Sequence, residues 1–119
     1  MISSYEKIET LGCGHYGQVW EVKHVESEKH FALKRANPDT DKGSKLLLNE
    51  IKILQVVQHK NIVKYIDSCI SERIEENSVV TEFCDRGSLL RFIVSLVKFQ
   101  FSEIVCQHQI VYCIVFLLF

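Results

Sequence analysis

The stretch LGCGHYGQVWEVKHVESEKHFALK, from Leu11 to Lys34, decides how the rest of the chain is read. Glycines stand at 12, 14 and 17, a valine at 19, and a lysine at 34 inside an apolar run. A loop that presses its backbone N–H groups against phosphate oxygens cannot carry side chains at the contact points. Glycine allows the close approach and the unusual dihedrals. The spacing GxGxxG is weak evidence alone, because an ordinary hairpin turn uses glycines too. Its dinucleotide-binding form needs the glycines to open a helix after one strand. Here they are followed by QVWEVKH, 18–24, which alternates apolar and polar residues as a strand does. The pattern disfavours a doubly wound dinucleotide fold and favours a glycine hairpin lying as a lid over a nucleotide.

The segment HFALKRA, 30–36, sharpens the reading. Strand alternation puts Ala32 and Lys34 on one face, with Phe31 and Leu33 on the other. A small alanine leaves room for an adenine ring, and a lysine two residues on can reach phosphates. A lone strand lysine is ordinarily a solvated surface residue. One held among apolar neighbours needs an acidic partner. Glu50 supplies it, in the segment DTDKGSKLLLNEIKILQVV, 39–57, whose Leu47, Ile51 and Leu54 recur with helical period. Glu50 lies on the inward edge of that helix, where a charge also needs a partner. Each awkward charge answers the other.

Working outward, strands are predicted over 5–12, 18–24 and 30–36, then the helix, with Thr40 or Asp41 as its cap. Two further strands follow, VKYIDSCI (63–70) and SVVTEFC (78–84), separated by the charged turn SERIEEN. A second helix begins at GSLLRFIVSLV, from Gly87. At 119 residues the chain suits one small domain. Its 14 basic and 15 acidic residues balance, which leaves no footprint for a nucleic-acid partner. The five cysteines form no CxxC pair, and no secretory leader opens the chain, so reduced thiols and a cytoplasmic location are expected. Cys13 and Cys84 read as small filler beside the proposed pocket. The histidines at 15, 24, 30, 59 and 108 have no metal partner at useful spacing, and no metal site is expected. Ile110 to Phe119 is a run of ten apolar residues, short of the roughly 20 that cross a bilayer, so a membrane partner is not expected.

From Tyr5 to about Ile93 the chain resembles the N-terminal lobe of a eukaryotic protein kinase of the serine/threonine type. LGCGHYGQV matches the family's GxGxxGxV loop, FALK its VAIK strand, and Glu50 the glutamate of its αC helix. HKNIVKY, 59–65, resembles the H-P-N-I-V segment, and VVTEFCDRGSL, 79–89, the fifth strand and hinge, in a style similar to NIMA-related kinases. The resemblance implies an α+β fold, a five-stranded antiparallel sheet with one αC helix, over 5–95. Residues 96–119 form a hydrophobic tail without that likeness, helical or poorly ordered.

It also implies roles, residue by residue. Gly12, Gly14 and Gly17 would cover the phosphates of ATP, with Tyr16 at the loop tip. Leu11, Val19 and Ala32 would pack on adenine, and Lys34 would hold the α- and β-phosphates while pairing with Glu50. Thr81 would be the gatekeeper, and backbone groups of Glu82 and Cys84 would bond the adenine edge. Leu54 and Tyr65 would stack in the apolar column that ties the helix to the lobe.

The chain contains no HRD, DFG or APE, and family spacing puts the first of these roughly forty to fifty residues past Thr81. Those motifs supply the aspartate that orients the substrate hydroxyl and the Mg²⁺ ligands. The expectation is therefore a partial kinase domain that binds ATP but does not transfer phosphate by itself, with a protein substrate only where a second lobe is present. Two alternatives stand beside it: a non-catalytic module that binds nucleotide or competes for a kinase's partners, and a scaffold tethered through residues 104–119.

Overall fold

The computed structural model describes residues 4–14, 17–37, 41–71, 73, 76–89 and 92–93. The expectations for Tyr16, Thr40 and the tail 96–119 lie outside these residues, as does most of the second helix. Among the described residues, five strands and one long helix make up the fold. They are β1 (Tyr5–Gly14), β2 (Gly17–His24), β3 (His30–Ala36), α1 (Asp41–Val56), β4 (Tyr65–Cys69) and β5 (Ser78–Glu82). The sheet order is β1-β2-β3-β5-β4, with every neighbouring pair antiparallel. This is the α+β architecture expected from the sequence.

Local chemistry explains each junction. β2 and β3 are joined by the turn Val25–Ser27, closed by the Glu28 N–H on the His24 carbonyl at 2.8 Å and the His24 N–H on the Lys29 carbonyl at 2.9 Å. α1 begins at Asp41. The helix ends where Val56 and Val57 meet the polar run QHKN. The Val57 N–H still reaches the Ile53 carbonyl at 3.1 Å. β4 starts two residues later than expected. Val63 is buried, but Lys64 turns its backbone to Glu82.

The two faces of the sheet are buried differently. On one, Ala36 and Val79 pack against Leu47 and Ile51 of α1, flanked by Leu54 and Tyr65. On the other, Val22, Leu33 and Val80 form a second cluster, covered among the described residues by Tyr5, Trp20, Phe31 and Ile66. The alternation read in HFALKRA is observed: Phe31 and Leu33 join the second cluster, and Ala36 joins the first.

Candidate functional site

The site is built on the helix-covered face. Register pairs Val19 with Lys34 and Lys34 with Val79, and pairs Ala32 with Thr81. Directly paired residues share a face, so Val19, Ala32, Lys34 and Thr81 form one half-buried surface across three strands. Leu11, more exposed, precedes the glycines on β1.

The glycine segment is a β-hairpin: Gly12 pairs with Val19, Cys13 with Gln18, and Gly14 with Gly17. Its glycines are not equivalent. A Cβ on Gly17 would sit 2.2 Å from the Arg35 carbonyl oxygen, so glycine is required there by the close approach of β3. A Cβ on Gly12 would meet nothing within 4 Å. The fold gives no internal reason for glycine at 12, and the bare backbone there stays open to a ligand.

Lys34 and Glu50 meet. The Lys34 ammonium donates to Glu50 Oε2 at 2.6 Å, with side chains 16% and 18% exposed. β3 fixes the lysine and α1 the carboxylate, sixteen residues apart in sequence. A charge-assisted bond this short and this shielded from water is stronger than a surface pair.

The far edge of the face is pinned by a contact the sequence reading did not single out. Glu82 Oε1 accepts from the Lys64 N–H at 2.7 Å, and the Glu82 N–H donates to the Lys64 carbonyl at 3.0 Å. The Thr81 hydroxyl donates to the Glu82 carbonyl at 3.4 Å, which leaves that oxygen a second lone pair. The chain then leaves the ladder. The Gly87 N–H bonds the Cys84 carbonyl at 3.4 Å, with Gly87 in the left-handed region at φ 72°. Cys84 is half-buried and Cys13 exposed.

Among the described residues, no group of three or more His, Cys, Asp or Glu side chains could hold a metal ion. No described helix is long and apolar enough to cross a membrane.

The chain is similar to known proteins over nearly its whole length. The family model for the protein kinase domain matches residues 5–116. Cyclin-dependent kinase 9 of rat and of human are each 34% identical over 113 residues, covering 87% of this chain and 30% of the relative. The zebrafish counterpart is 33% identical over 112 residues, 86% of this chain and 30% of its own. The chain thus spans about 30% of the length of the curated relatives it matches.

Proposed function

The chain belongs to the protein kinase family, and on that premise we propose that its sheet is the nucleotide-covering lobe of an ATP cleft. The observation that carries the proposal is the Lys34–Glu50 pair. A lysine fixed by a carboxylate on the same face as a small alanine is a pre-aimed phosphate ligand. Glu50 orients the ammonium, which keeps donors to spare for the α- and β-phosphate oxygens. Leu11, Val19 and Ala32 supply apolar contact to the adenine ring. Thr81 stands at its inner edge, with the Glu82 carbonyl and Cys84 backbone at its polar edge. Gly12, Gly14 and Gly17 carry the lid over the phosphates.

Complete family members of the serine/threonine type transfer the γ-phosphoryl group of ATP to protein hydroxyls. The 119-residue chain holds neither HRD nor DFG. It therefore brings the orienting half of the site without the aspartates that position the hydroxyl and Mg²⁺. The proposal for this chain alone is nucleotide binding without phosphotransfer.

Titrating ATP into ¹⁵N-labelled chain tests it. The Gly12, Val19, Ala32 and Cys84 amides should shift, and Lys34→Met should weaken binding about tenfold, the loss of one charged hydrogen bond. Unshifted amides at millimolar ATP would sink the nucleotide reading. Phosphotransfer by the purified chain would sink the non-catalytic part.

A second reading rests on Ile53 and Val56, 53% and 82% exposed on the outer side of α1. This apolar surface suits a module that competes for a kinase's partners. The relatives are by name cyclin-dependent, which makes a cyclin the kind of partner concerned. Partner competition that survives Lys34→Met but not Val56→Asp would favour this reading.

A further inference from the structure

Glu50 can serve Lys34 only if α1 holds its rotation about its own axis. A carboxylate tip stands roughly 5–6 Å from a helix axis, so a 20° rotation displaces it by about 2 Å. That displacement carries it out of hydrogen-bond reach of the ammonium, which lies at 2.6 Å. Leu47 and Ile51 press α1 onto Ala36 and Val79, but apolar attraction is non-directional. Something directional must set the angle.

The buried amide of Asn77 offers a directional bond. Its Nδ2 donates to Ser44 Oγ in the first turn of α1 at 3.2 Å, and its Oδ1 accepts from the Ser71 N–H at 2.8 Å. Asn77 is 2% and Ser44 4% exposed, so water does not replace the bond between them. Ser44 shares a helix face with Leu47 and Ile51, and Asn77 stands immediately before β5, the strand that carries Val79 and Thr81. At the other end of α1, Gln55 reaches the Tyr65 hydroxyl at a longer 3.3 Å, in an exposed position. Of these two bonds at the ends of the helix, the buried one is at the N-terminal end.

We infer that Asn77 is a positioning residue which, through Ser44, fixes the rotation of α1 and so keeps Glu50 on Lys34. Its importance for ATP rests on the nucleotide-cleft reading, but the geometry can be tested without nucleotide.

The test acetylates the full chain with N-hydroxysuccinimidyl acetate and reads Lys34 against Lys52, exposed on α1, by mass spectrometry. Circular dichroism confirms the folded state of each variant. Ser44→Ala should raise the Lys34-to-Lys52 ratio about threefold, because an amino group no longer held by its carboxylate is more open to the reagent. Glu50→Gln should raise it as well, and the double variant should add nothing beyond Glu50→Gln. Ser44→Thr, which keeps the hydroxyl, should restore the low ratio. If Ser44→Ala fails to fold, Asn77→Ser, too short to reach Ser44, is read the same way. An unchanged ratio in Ser44→Ala or Asn77→Ser, or a change that adds fully to that of Glu50→Gln, overturns the inference. Failure of ATP to bind while the ratios behave as expected would remove the nucleotide reading and leave the positioning role standing.

Discussion

The two faces of the sheet solve the same problem by different means. One is covered by a second element, α1, and can afford polar devices: the Lys34–Glu50 pair and the Asn77–Ser44 bond both span sheet and helix. The other, among the described residues, has no covering helix and screens Val22, Leu33 and Val80 with its own side chains. Tyr5 meets Phe31 edge-on at 5.8 Å between ring centroids, and Lys7 lies over the Trp20 ring at 3.7 Å. Aromatic rings and the long stems of cations serve there as a lid. The contrast shows where function can sit. Charges can be held in a working geometry on the face where two independently anchored elements meet.

The largest expected effects test that contrast directly. Leu33→Ala and Ile51→Ala each remove a fully buried side chain and should cost about 2–5 kcal/mol. The cavity under Leu33 is bounded by hydrogen-bonded strands that cannot close on it, so its loss belongs at the upper end. The helix over Ile51 can settle toward the sheet, which places that loss at the lower end. Urea unfolding of both variants checks the order. A larger loss for Ile51→Ala would mean that α1, not the sheet, is the rigid body.

A smaller pair of effects separates scaffold from site within the hairpin. Gly17→Ala drives a methyl into the Arg35 carbonyl and should cost about 1–3 kcal/mol. Gly12→Ala meets open space and should leave stability within about 0.5 kcal/mol. If Gly12 serves a ligand, that variant should show its effect in ATP affinity alone. Equal destabilisation by both would erase the distinction between the two glycines.

Much of this was legible in the sequence, because strand alternation and helical period are local signals. They gave the faces of Ala32, Lys34 and Leu33, the inward edge of α1, and the pairing of Lys34 with Glu50 across sixteen residues. Boundaries moved where the chain found partners no pattern announces. β1 runs to Gly14 because the hairpin ladder continues through the glycines. β5 stops at Glu82 because its N–H and carboxylate turn to Lys64. Asn77 ends the charged turn SERIEEN, yet it is buried against a serine 33 residues away. No period marks a single amide that bridges two elements. The crowding of Lys7 and Arg35 around Trp20 was equally hidden, since the three lie on different strands.

That crowding gives the smallest and sharpest test of the open face, in its alkaline titration. Burial first, and the charge of Asp67 second, push the Tyr5 hydroxyl above its ordinary value. Burial first, and the nearby Arg35 second, pull Lys7 below its own. The signs oppose. A raised tyrosine contributes stability that is whole below its unfolded value, about 10, and lost as pH rises through the folded value. A lowered lysine does the reverse: the unfolded chain keeps its proton longer, so stability rises with pH between the folded value and about 10.4. In the wild type the two partly cancel. Tyr5→Phe removes the falling component, so its stability relative to wild type should climb as pH rises from about 9 to 11. Lys7→Met removes the rising one, and its relative stability should fall over the same window. Both groups are largely solvent-screened, so the slopes will be slight and are best read as differences between matched denaturation curves. Curves that stay parallel to wild type would mean that water reaches this face freely. Its aromatic cover would then not match what the helix provides on the other side.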